Sequence, residues 1–315
     1  MGGFSGRGRR AYAGAVLVAG LAVTVGCDPG YEGELRRSAS VIEALEEVRY
    51  AGDPPPFVTV VDPEQADELL AVDERRFWMV ANLNTPLLAA SSRSELRFGI
   101  DRADVETAVT VMAGDEDGMR EYGVWTGDFD ATAITAELAA DGFTEHQADG
   151  GALWANASGD EFLRVSDEEL VWGGQGFDPA MLTEGRPLSE EPRYRELSAC
   201  VDGAYRVDFT HRDSDEEGVT AYAVGQVAEF TDDASDVATS EVLCLGTRDA
   251  AEAERATDAL EQTVADNEDR YGGSEVTLLE GEPSVVRVTV PHLHEGQEPG
   301  WLIREDAGLI TRGLG

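Results

Sequence analysis

The chain has 315 residues and a formal charge of −39 at pH 7, set by 63 acidic side chains against 24 basic ones, and every basic residue is arginine. Without lysine there is no Walker A lysine for a nucleoside triphosphate, no Schiff-base lysine for a pyridoxal cofactor and no Ser-x-x-Lys acylation centre. So acidic a composition also supplies no basic face to neutralise phosphates, which excludes nucleic acid as a partner.

At the start of the chain Arg7, Arg9 and Arg10 precede an apolar run over residues 11–26, and Cys27 follows. The run is shorter than the roughly 20 apolar residues of a bilayer span. Its charged start and apolar middle are those of a secretory signal. Val25 and Gly26 ahead of Cys27 resemble the lipobox of bacterial lipoprotein precursors, with Thr24 where that pattern prefers leucine. The resemblance implies cleavage after residue 26, acylation of Cys27 and attachment to the extracellular face of the cell membrane. Leader and composition together resemble those of uncharacterised lipoproteins of high-GC Gram-positive bacteria. Residues 1–26 are then a signal peptide and residues 27–34 an anchor with a short linker.

Beyond the linker, Val41, Ile42, Leu45 and Val48 recur at three- and four-residue steps and predict a helix over residues 35–50, stopped by Gly52 and the prolines from Pro54. Residues 57–61 predict a strand, and Asp62 with Pro63 caps a helix running through Leu70. The apolar segment 77–90 fits a strand, a helix or both, since periodicity does not separate short buried elements. Strands are expected at 108–112 and 122–126, then a helix over 131–141 with Asp130 as its cap and Gly142 as its stop. Strands at 143–147, 152–156, 161–165 and 170–172 follow, closed by tight turns such as Asp149-Gly150.

Residues 177–195 carry Pro179, Pro187 and Pro192 with little periodicity, and predict a linker. The order of elements then repeats. Strands at 205–211, 220–230 and 241–247 lead to a helix over 250–266 capped by Asp249, and to strands at 274–279, 284–290 and 301–304. The fold class expected is α+β, with two related units at 35–176 and 196–315, each an antiparallel sheet with one main helix packed on a face. One continuous sheet is the alternative.

With Cys27 acylated, Cys200 and Cys244 remain as a pair in an oxidising compartment, which favours a disulfide over two buried thiols. His292 and His294 alternate along a strand end, as two metal ligands would, but a zinc site needs three or four convergent donors. Asp213, Asp215, Glu217 and Gly218 match the opening of a calcium loop, whose closing glutamate is replaced by Val224. A weak Ca²⁺ site is therefore the one cofactor these residues suggest. Asp128 with Asp130, and Asp115 with Asp117, are carboxylate pairs of the kind glycosidases use. No Gly-x-Ser-x-Gly, His-Glu-x-x-His or Gly-x-Gly-x-x-Gly motif occurs, so no nucleotide is expected. The acidity admits three readings: a solvated coat, adaptation to salt, or attraction of cations and basic partners.

The functional expectation is a non-enzymatic surface lipoprotein that binds a partner at the cell envelope, such as an envelope protein or polymer. A carboxylate-based or metal-assisted extracellular hydrolase and a solute-binding receptor are the alternatives.

Overall fold

A computed structural model describes residues 40–50, 57–83, 85, 88, 96–115, 118–148, 151–174, 176, 185–211, 218–230, 237–279, 281, 284–293, 297–304 and 309. Cys27, Asp213, Asp215, Glu217 and His294 lie outside these residues.

Local chemistry starts the helices, and the first is a correction: among the described residues of 35–50 the helix is Val41–Glu46, and Arg49–Tyr50 form a strand instead. Ser40 and Glu43 form a reciprocal capping box for α1 (Val41–Glu46). Asp62, Asp130 and Asp249 each accept the backbone N–H three residues on, at 3.0, 2.9 and 2.9 Å, and so begin α2 (Pro63–Phe77), α3 (Ala131–Ala140) and α5 (Ala250–Asp266). Helix α2 continues beyond the expected Leu70 and breaks at Asp73, where φ is −153° and ψ is 92°. The Asp73 side chain caps the turn that follows by accepting from Arg76 N at 3.1 Å. Two further helices, α4 (Pro192–Cys200) and α6 (Glu268–Tyr271), complete this set.

The fold is α+β, built on one antiparallel sheet of 12 strands. Its first half contains β2 (Phe57–Val61), β3 (Val105–Asp115), β4 (Gly118–Gly127), β5 (Thr144–Ala148), β6 (Gly151–Ala155), β7 (Phe162–Val165) and β8 (Glu169–Gly173). Its second half contains β10 (Arg206–His211), β11 (Val219–Phe230), β12 (Val237–Thr247), β13 (Glu275–Leu279) and β14 (Val285–Pro291). The spatial order is β13-β14-β12-β11-β10-β2-β3-β4-β8-β7-β6-β5. In each half a hairpin leads to a helix and then to a meander whose last strand returns beside the hairpin: β8 pairs with β4, and β14 with β12.

The halves meet edge to edge. Strands β2 and β10, the first sheet strands of each half, pair antiparallel with Thr59 opposite Asp208, so one continuous sheet runs through both. Residues 177–195 were expected to separate two units. Where described, they instead form β9 (Arg186–Pro187), which pairs with β1 (Arg49–Tyr50), a 3-10 turn over Leu188–Glu190, and the start of α4.

One face of the sheet is covered at its centre by α1, α4 and the 3-10 turn. Leu45, Leu188, Tyr194 and Leu197 pack there on Val58, Val109, Val207 and Phe209. A disulfide from Cys200 at the end of α4 to Cys244 in β12 closes this layer, with both residues buried. On the opposite face α2 and α3 cover the first half around Trp125, Trp172, Leu138 and Leu163. Helix α5 covers the second half around Leu243, Val286, Val288 and Leu260.

The expected last strand at 301–304 is a correction: Trp301–Arg304 is one helical turn, α7. A strand on a half-covered sheet alternates inside and outside. Trp301 and Leu302 are instead consecutive and both buried, at 5 % and 0 % exposure, under the same core.

Because the bridge closes a span of 44 residues between two packed layers, the Cys200→Ala/Cys244→Ala variant should lose about 2–4 kcal/mol of unfolding free energy. Urea denaturation measures this, and an unchanged midpoint would remove the bridge from the list of stabilising features.

Candidate functional site

Cross-strand partners share a face of a sheet, and the register places a polar seam under the junction of the two helical covers. Thr110 lies opposite Thr59, and Thr59 opposite Asp208. In the neighbouring row Arg206 lies opposite Gln226, and Gln226 opposite Glu241. Thr59, Thr110, Gln226 and Glu241 are all buried. A buried polar group left without a partner costs about 1–3 kcal/mol, so the wiring of this seam decides whether it stabilises the molecule.

On the first-half side Asp208 collects three donors. Thr59 Oγ1 donates to its Oδ1 at 2.8 Å, and Arg206 donates through Nε and Nη2, both at 2.8 Å. This is a bidentate arginine–carboxylate fork. Burial works to lower the Arg206 pKa, but the Asp208 charge and hydrogen bonds outweigh it, and the pKa ends above its ordinary value. Arg206 Nη1 reaches the carbonyls of Asn82 at 2.9 Å and Val80 at 3.4 Å, while Thr110 Oγ1 donates to Leu83 O at 3.2 Å. The side chains of the sheet thus satisfy the carbonyls of an irregular segment laid across it.

On the second-half side the chemistry is inverted, and carboxylate and amide oxygens hold backbone N–H groups. Glu241 Oε1 accepts from Gln226 Nε2 at 2.6 Å, and Glu241 Oε2 accepts from Leu302 N at 2.9 Å. Gln226 Oε1 accepts from Gly300 N at 2.9 Å. His292 Nε2 stands 3.2 Å from Glu241 Oε2, with side-chain exposures of 1 % and 0 % for the pair. His292 Nδ1 stands 2.9 Å from Thr239 Oγ1, which in turn accepts from Arg76 Nη2 at 2.7 Å. Among the described residues the buried Tyr205 hydroxyl has no hydrogen-bond partner. Burial pushes its pKa up, and the charges of Arg206, Glu241 and Arg76 all act on it.

The residues singled out in the sequence divide. Cys200 and Cys244 are joined in the disulfide. His292 is placed in the seam with both ring nitrogens engaged, by Thr239 and Glu241. Among the described residues no three His, Cys, Asp or Glu side chains gather into a metal-holding group. Asp130 serves as a helix cap. Sequence reasoning passed over Glu241, Gln226, Thr239, Arg206 and Asp208. The signal available for them was a polar residue at a position where strand alternation calls for an apolar one, as with Thr239 and Glu241 ahead of Leu243 and Leu245 in β12.

No protein-family model and no curated protein matches the chain. Three crystal forms of TP0453 are similar in structure at 8 % identity. Form I has a TM-score of 0.48 and covers 86 % of this chain and 98 % of that one. Form IV has 0.44, with 76 % and 88 % covered. Form III has 0.41, with 76 % and 90 %.

Removing His292 leaves the Glu241 carboxylate short of a donor in a dry site. A buried acceptor left short of a donor costs about 1–3 kcal/mol, so His292→Ala should lower the unfolding free energy by roughly that amount. Chemical denaturation at neutral pH tests it, and a loss below about 1 kcal/mol, the scale of an exposed pair, would mean that the network does not act as a unit.

Proposed function

We propose that the chain is a lipid-anchored protein of the outer face of a bacterial cell membrane and acts as a binding module there. The observation that carries this reading is the use of the cysteines. Of three in the chain, Cys200 and Cys244 are bonded to each other. Cys27 is left as the one outside the bridge, directly after a signal-like apolar run and a small residue. Disulfides persist in oxidising compartments such as the cell exterior, so bridge and leader support the same address.

The physics of attachment follows from the charge. A chain at −39 is repelled by anionic lipid headgroups. Attachment would therefore rest on the acyl chains, each buried methylene contributing about 0.8 kcal/mol. The same charge favours a cationic or basic partner over an acidic one, whether an envelope protein, a polymer or a metal ion.

Expression in a lipoprotein-processing bacterium with radiolabelled palmitate tests the anchor. The wild-type protein should take up label and partition into detergent. Cys27→Ala should take up none, and should appear in the medium or as unprocessed precursor. A mature, membrane-bound Cys27→Ala protein would contradict the proposal.

A further inference from the structure

The geometry points to Thr239 as an acyl-accepting nucleophile, with His292 as its base and Glu241 as the group that holds the base in place. This goes beyond the binding role and does not depend on the anchor. Both oxygens of Glu241 accept hydrogen bonds, Oε1 from Gln226 and Oε2 from Leu302 N. A carboxylate used only as an acceptor requires His292 Nε2, 3.2 Å away, to carry the hydrogen. The neutral ring then presents a lone pair at Nδ1, 2.9 Å from Thr239 Oγ1. Carboxylate, imidazole and hydroxyl therefore follow one another in the order of a nucleophilic triad.

One further group meets the needs of such a centre. Acyl transfer places negative charge on a carbonyl oxygen next to the attacking atom, and fixed donors there lower the barrier. Arg76 Nη2 is 2.7 Å from Thr239 Oγ1. Thr239 is 8 % exposed and Arg76 is half-buried beside it, so the hydroxyl is reached past the guanidinium. Arg76 sits on the short turn that follows the break in α2 at Asp73. A shift of that turn both uncovers Oγ1 and frees the guanidinium for the oxyanion. With Thr239 only 8 % exposed, the substrate class proposed is a small carboxylic ester.

In the reaction, Oγ1 attacks the ester carbonyl carbon while the hydroxyl proton passes to His292 Nδ1. The tetrahedral oxyanion collapses, the bond to the alkoxy oxygen breaks, and the leaving alcohol takes the proton from Nδ1. The acyl group remains on Thr239 as an ester. Water then attacks with the same base, releases the carboxylic acid and restores the hydroxyl.

Purified full-length protein and p-nitrophenyl acetate test this, with p-nitrophenol release and peptide mass mapping as readouts. The absence of lysine removes the commonest background acceptor of acetyl groups. Acid-quenched during turnover, the wild-type protein should carry an acetyl group on Thr239. Thr239→Val, with its fold checked by circular dichroism, should release p-nitrophenol at least about tenfold more slowly, the low side of what one lost acid–base partner costs. Thr239→Ser should keep the activity and carry the acetyl group at the same position, so that one variant reports even if the valine protein does not fold. Wild-type release no faster than that of Thr239→Val, or an acetyl group found only at other residues, would overturn the assignment.

Discussion

Everything else in this molecule depends on the pairing of β2 with β10. Each strand is the first of its half of the sheet, and their five-residue register from Phe57 opposite Thr210 to Val61 opposite Arg206 makes two half-sheets into one. The pairing is sealed on both faces. On one, Val58 and Val60 continue the apolar row of Val207 and Phe209 beneath α1 and α4. On the other, Thr59 donates directly to Asp208, which the Arg206 fork also holds. An apolar seal on both faces would fix position less closely. A directional contact between opposite residues defines which pairs meet, because a one-residue slip would turn Asp208 towards the apolar layer.

The seam also explains how an irregular segment and the α7 turn lie across the sheet with backbone groups paired to its side chains. Residues 80–83 offer carbonyls, and the sheet answers with Arg206 and Thr110. Residues 300 and 302 offer N–H groups, and the sheet answers with Gln226 and Glu241. Donor side chains face one segment and acceptor side chains the other, so each segment satisfies groups that would otherwise be buried and unpaired. Exchanging Arg206 and Glu241 would leave both segments unmatched. In this arrangement Glu241 also fixes the orientation of His292, and so sets up the Thr239 hydroxyl as the reactive group inferred above.

Much of the fold is legible in the sequence because it is local. An aspartate that accepts from the third residue on is visible at Asp62, Asp130 and Asp249 whatever surrounds it, and alternation marks β10 and β14 directly. The α+β class follows from the succession of such elements. Joining the halves is a different matter, since Thr59 and Asp208 are 149 positions apart and nothing local records their meeting. Trp301 to Ile303 resemble a buried strand in sequence, but burial of neighbouring residues suits a helical turn as well, and the N–H of Leu302 is taken by Glu241 rather than by a strand. The site shows the same limit. His292 stands out as one of four histidines, whereas Glu241 and Thr239, 51 and 53 positions away, are lost among many other polar residues.

The central claim is that one cooperative sheet, joined at β2 and β10, holds both halves together. Amide hydrogen exchange of the folded protein, resolved by strand, tests it most directly. The account predicts that the amides of β2 and β10 exchange only with global unfolding, as slowly as those of β4 and β12. Exchange of β2 and β10 through a smaller opening, while the hairpins on either side keep full protection, would show two independent half-sheets in contact and would contradict it.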